Sequence, residues 1–176
     1  MKIIQSKFFV LLIITGLVLN SCTDLGYNDY STWASYGGTK DANRYSSLDQ
    51  INLENVAQLK EAWVFNTGDK DTANRSEMQC NPIVIDGTLY LTSSKLKLFA
   101  LDPATGKQKW VFDPNTNSTE KIGFGINRGL MYWEDEKGKD KRIFYGAASR
   151  LYAVNAADGN PVKDFGTNGS IELKEG

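Results

Sequence analysis

The stretch Leu98-Phe99-Ala100-Leu101-Asp102-Pro103-Ala104-Thr105-Gly106-Lys107-Gln108-Lys109-Trp110 decides the fold. Its opening pentapeptide returns 53 residues later as Leu151-Tyr152-Ala153-Val154-Asn155. Its closing element, Trp110-Val111-Phe112-Asp113, has a forerunner 47 residues earlier in Trp63-Val64-Phe65-Asn66. A period of about 40–50 residues, filled with short strands, is the period of propeller blades. One such unit cannot bury both of its faces, so neighbours must stack, and a large aromatic is a natural plug for the joint.

The residues around the repeat read as strands. Pro82-Ile83-Val84-Ile85 and Thr88-Leu89-Tyr90-Leu91 flank Asp86-Gly87, a two-residue turn whose residues tolerate the positive φ of a type I′ hairpin. Strands are expected over 96–101, 109–112, 126–133, 143–146 and 151–155. The charged run from Glu134 to Arg142 reads as a solvated loop between two of them. One helix is expected, from the capping-box pattern Ser47-x-x-Gln50 with Leu53, Val56, Ala57 and Lys60 at helical spacing. The fold class is therefore all-β.

Composition narrows the chemistry. The 176 residues carry 20 basic and 21 acidic side chains, a balance that argues against a nucleic-acid surface. No histidine is present, which excludes a Ser-His-Asp triad and histidine-ligated zinc within this stretch. Two cysteines, Cys22 and Cys80, are too few for a disulfide framework. Gly123-x-Gly125 with Gly129 is not a phosphate loop, because no Lys-Ser/Thr pair follows and no strand-to-helix turn surrounds it.

The beginning of the chain is an address. Lys2 and Lys7 precede a twelve-residue apolar run, Phe8 to Leu19, too short to span a membrane and suited to a signal-peptide core. Leu19-Asn20-Ser21-Cys22 resembles a bacterial lipobox, which would make Cys22 the lipidated first residue of the mature protein. Residues 1–21 are thus expected to be a lipoprotein signal peptide and 22–32 a polar tether. Export would place the protein on the periplasmic face of a bacterial membrane, with Cys80 as a buried free thiol. The remaining 155 residues make about three blades at about 50 residues each. A ring needs at least about four, so the chain is expected to be the N-terminal part of a longer protein, with no closing strand or cap in its last stretch, Ile171 to Gly176.

Family likeness enters at specific residues. Ala100-x-Asp102-x-x-x-Gly106-x-x-x-Trp110 resembles the tryptophan-docking motif of quinoprotein propellers; the copy from Ala153 keeps Gly159 but has Asn155 for the aspartate and Lys163 for the tryptophan. Trp33-x-x-Tyr36-Gly37-Gly38, Arg44-Tyr45-Ser46, Leu48, Gln50-Ile51, Asn55-Val56, Leu59 and Ala62-Trp63 resemble the head of dehydrogenases dependent on pyrroloquinoline quinone (PQQ). Asn127-Arg128-Gly129-Leu130-x-Tyr132-Trp133 resembles their cofactor-reaching segment, and Phe165-Gly166-x-x-Gly169 the blade end of the membrane-bound glucose dehydrogenase branch.

The resemblance implies an eight-bladed ring in which PQQ and a calcium ion oxidise a sugar or alcohol, with a quinone or cytochrome as electron acceptor. It assigns Arg128 as the catalytic, cofactor-contacting arginine and Gln79 as a second cofactor contact, at a place where many members have glutamate. Calcium ligands and the substrate-deprotonating aspartate would lie beyond Gly176. Ile122 and Gly123 stand where the alcohol-dehydrogenase branch often has adjacent cysteines, so that ring disulfide is missing. Gly146 stands near a common cofactor-contacting threonine, and Trp133 where some glucose dehydrogenases have histidine. The competing expectation is a non-enzymatic propeller lipoprotein resembling the scaffold of outer-membrane assembly.

Overall fold

The structure is a computed structural model that describes residues 30–71, 73, 76–116, 122 and 125–174. Cys22, the leader and most of the tether lie outside the described residues. Among the described residues, eight strands form two antiparallel sheets. The first contains β1 (Ile83–Ile85), β2 (Thr88–Thr92), β3 (Leu98–Leu101) and β4 (Gln108–Phe112). The second contains β5 (Met131–Glu134), β6 (Lys141–Ala147), β7 (Arg150–Asn155) and β8 (Ser170–Glu172). Each sheet runs in simple chain order, the up-and-down topology of a propeller blade.

The hairpin joining β1 and β2 forms as the sequence requires. Asp86 and Gly87 take φ of 48° and 65°, and Ile85 pairs with Thr88 across the turn. Alternation then aims Ile83 and Ile85 at the seam between the sheets, where Leu98 of the first sheet and Ile143 and Val154 of the second are also buried. Each such side chain contributes about 1.5–3 kcal/mol on burial. Two tyrosines tie this apolar seam together with hydrogen bonds. Tyr90 Oη donates to the Ala156 carbonyl at 3.0 Å, and Tyr145 Oη donates to the Leu96 carbonyl at 3.1 Å. The Lys141–Asp86 ion pair bridges the sheets at their exposed ends, where water screens it; the packed seam holds the arc.

The repeated tryptophans do the same job twice. Trp110 on β4 donates from Nε1 to the Ala156 carbonyl at 3.2 Å, and its ring lies where a Cβ on Gly159 would sit, 2.6 Å away. Trp63 donates to the Pro103 carbonyl at 3.0 Å, and its ring lies 2.5 Å from the Cβ place of Gly106. Residues 63–65 thus hold, against the first sheet, the position that β4 holds against the second. They do so with the alternating burial of a strand but without belonging to a sheet.

Three expectations need correction. Two four-stranded sheets are present among the described residues, not three, because residues 33–79 supply a docking segment and no sheet. The second sheet gains a strand outside the expected series: β8 pairs with β7 after the excursion of residues 162–169 that follows the Val154–Pro161 bridge. The expected helix over 47–60 reduces to one 3-10 turn, Val56–Gln58. Asparagines capture the backbone there: Asn55 accepts from the Asn52 amide and donates to the Gln50 carbonyl, while Asn52 accepts from the Glu54 amide. Leu53, Val56 and Leu59 stay exposed, so no packed face rewards a helix. The charged run does join two strands, as a turn in which Asp135 Oδ1 accepts from the Lys139 and Asp140 amides.

Candidate functional site

Topology brings the two candidate residues to one end of the arc. In an antiparallel blade the first strand begins where the second ends. Gln79 to Asn81 therefore lie beside Thr92 in the first sheet, and Arg128 to Gly129 beside Gly146 in the second. The two segments then meet. Asn81 and Gly129 form a parallel bridge, with the Asn81 amide donating to the Arg128 carbonyl at 3.3 Å.

Side-chain amides fix this junction. Asn81 Nδ2 donates to the same Arg128 carbonyl at 2.6 Å. Asn127 Nδ2 donates to the Gly146 carbonyl at 3.1 Å, and its Oδ1 accepts from the Gly129 amide at 3.1 Å. Thr92 Oγ1 donates to Asn127 Oδ1 at 3.5 Å. Beneath the rim, the buried carboxylate of Asp69 accepts from Thr67, Ser93 and Ser94 hydroxyls at 2.6, 2.5 and 3.4 Å. Cys80 is half-buried rather than buried, and its sulfur accepts from the Thr92 amide at 3.2 Å.

Gln79 and Arg128 are themselves exposed on this rim. Gln79 Nε2 donates to Glu77 Oε2 at 2.6 Å, and the Arg128 guanidinium joins no ion pair among the described residues. Their surroundings form an open shelf. Two cavities among the described residues, of about 600 and 290 Å³, are lined elsewhere: the larger by Phe112, Arg150, Tyr152 and Lys163, the smaller by Asp86, Tyr90, Trp110 and Lys141. Among the described residues, no three His, Cys, Asp or Glu side chains converge on a metal position. The polar groups on the shelf are a guanidinium without an ion pair among the described residues and a neutral amide that donates to the Glu77 carboxylate. The guanidinium suits a planar, oxygen-rich group such as a carboxylate-bearing ortho-quinone, whose oxygens accept parallel N–H donors and gain negative charge on reduction.

Sequence reasoning singled out Arg128 and Gln79, whose segments meet at this rim, but not Asn81, Asn127 as a side chain, or Asp69. The Asn127-Arg128-Gly129 tripeptide carried a signal for Asn127. Asn81 and Asp69 act through partners 47 and 24 residues away, which no local pattern displays.

Tandem up-and-down sheets, with each tryptophan seated on a glycine of the next repeat, define a propeller of the quinoprotein class. The family model "Glucose/ethanol/alcohol dehydrogenase, beta-propeller domain" matches residues 33–176, and the chain belongs to that family. Quinoprotein glucose dehydrogenase A of Acinetobacter calcoaceticus is 36% identical over 165 residues, covering 82% of this chain and 21% of the relative. The dehydrogenase subunit of the quinone alcohol dehydrogenase of Gluconobacter oxydans is 36% identical over 152 residues, covering 84% and 18%. The crystal structure of quinohemoprotein alcohol dehydrogenase from Comamonas testosteroni superposes with a TM-score of 0.67 at 31% identity, over 86% of this chain and 21% of that one. The chain spans about a fifth of the length of these relatives.

Proposed function

We propose that this chain is the N-terminal part of an exported, lipid-anchored dehydrogenase that uses PQQ to oxidise a sugar or alcohol and delivers the electrons to a quinone or cytochrome. The observation that carries this reading is the shared rim. Gln79 leads into the first blade and Arg128 into the second, and the Asn81–Gly129 bridge sets the two segments side by side. The glucose and alcohol dehydrogenases among the relatives support the reaction class.

When bound, PQQ would supply an ortho-quinone able to take up two electrons from the substrate carbon. Arg128 would lie along its edge. A guanidinium stays charged across the working pH range, donates two parallel hydrogen bonds and stabilises an oxygen that gains negative charge. Gln79 would donate or accept there without adding charge. A calcium ion would act as Lewis acid, held with the substrate base by residues after Gly176. Cys22 would carry the lipid that tethers the protein on the periplasmic side. No observation favours the non-enzymatic scaffold.

The test uses the full-length protein supplied with PQQ and calcium. Dye reduction with members of a sugar and alcohol panel is the expected result, reduced at least about a hundredfold by Arg128→Ala, the loss typical of an oxyanion-stabilising donor. Failure to bind PQQ, with no dye reduction across the panel, overturns the reading. Palmitate labelling that disappears in Cys22→Ser checks the anchor separately.

A further inference from the structure

The root of Arg128 is built from both blades. Its carbonyl is chelated by one residue of the first blade's entry segment, Asn81, through the amide N–H at 3.3 Å and Nδ2 at 2.6 Å. Its neighbour Asn127 spans the joint, touching Thr92 on β2, the Gly146 carbonyl on β6 and the Gly129 amide. The backbone of 127–129 is therefore fixed from both sides, while the guanidinium beyond it is exposed.

We infer that Asn81, assisted by Asn127, is a positioning residue that sets where Arg128 presents its guanidinium. A side chain as long as arginine magnifies any rotation of the peptide that bears it, and sites tolerate only small displacements of their charged groups. Gln79, two residues before Asn81, is held separately, by Glu77, so the clamp acts on Arg128. The clamp exists only while the two blades are docked. Blade docking and binding at the rim are therefore linked, because a ligand that binds only the assembled rim stabilises the joint that builds it. The ligand named in the test rests on the PQQ reading above; the clamp itself does not.

The test is made on the full-length protein with three readouts. Hydrogen exchange without PQQ should accelerate across the Arg128–Leu130 peptide in Asn81→Ala. PQQ affinity, followed by quenching of tryptophan fluorescence, should fall about tenfold in the same variant. In an Arg128→Ala background, Asn81→Ala should cause no further loss, since it acts through the missing guanidinium. Asn81→Ser keeps a hydroxyl donor and should recover part of the affinity; Asn127→Ala provides a second, independent loosening of the same root. Unchanged exchange in Asn81→Ala, or an equal loss of affinity in both backgrounds, overturns the inference. A wild-type protein that does not bind PQQ overturns the functional reading instead, while the exchange result still decides the clamp.

Discussion

The two tryptophan joints are built from the same parts and differ in what stands behind them. Trp110 projects from a sheet strand, packs against Tyr90 at 5.8 Å and shares the Ala156 carbonyl with the Tyr90 hydroxyl. Its blade faces a large continuous core that includes Ile83, Leu98, Ile143 and Val154. Trp63 projects from a segment outside any sheet, bonds Pro103 alone and meets a small core of Leu91, Phe99 and Leu101. Even the accompanying aromatic pair repeats: Phe65 meets Phe99 at 5.2 Å as Phe112 meets Tyr152 at 5.6 Å. The motif therefore sets the geometry of docking, and the sheet behind the tryptophan is expected to set its strength.

Removal of the rings should give the largest separation. Trp110→Ala takes away a large ring from the main core, and leaves Ala156 with one donor where it had two; about 3 kcal/mol of unfolding free energy should be lost. Trp63→Ala should cost about half as much, because its segment has no ladder to hold it rigid and can relax. Denaturant titration of the full-length variants measures both. Equal losses would mean that the segment carrying Trp63 is as firmly backed as β4.

The glycine side of each joint sharpens the comparison. Gly159 has φ of 76° and Gly106 of 68°, and a Cβ at either place would run into the partner ring. The left-handed conformation alone costs an added side chain about 1–2 kcal/mol. Gly159→Ala should cost more than that, since the ring it strikes is held by a sheet; Gly106→Ala should cost less than Gly159→Ala, since the segment bearing Trp63 can withdraw. In a Trp110→Ala background the cost of Gly159→Ala should fall to that backbone penalty of about 1–2 kcal/mol. A full additive cost there would show that the ring is not what excludes the methyl group.

These joints also show what a sequence can display. The Asp86-Gly87 hairpin, the 53-residue repeat and the Trp-Val-Phe pairs were legible, because each rests on local turn chemistry or on side chains that recur at a fixed interval. The number of blades was not. Trp63 announces a fourth strand, yet whether three more strands stand behind it depends on pairing that is not local. β8 was hidden for a related reason: the 162–169 excursion breaks the repeat, and Lys163 takes the tryptophan's place. The false helix came from trusting apolar spacing over Asn52 and Asn55, whose side chains compete for the backbone. At the rim, Arg128 and Gln79 stood out by likeness to relatives, whereas Asn81 looks like any loop asparagine until its partner 47 residues away is in place.

The smallest effect isolates the seam from the tryptophans. Burial pushes the Tyr145 phenol well above its usual range, with the neighbouring Tyr152 and Asp113 acting in the same direction. The folded state therefore keeps Tyr145 protonated at pH values where the unfolded chain ionises it. The stabilisation is complete below the ordinary phenol value near 10 and drains away as pH rises above it. Tyr145→Phe removes one hydrogen bond and leaves the Leu96 carbonyl without that donor, which should cost about 1 kcal/mol at neutral pH. Above about pH 10 the ranking should narrow, because phenylalanine has no proton to lose while the wild type is driven to unfold. Chemical unfolding from pH 7 to 11 follows both proteins. A difference that stays constant across that interval would place the alkaline sensitivity of the arc in groups other than the phenol buried between its blades.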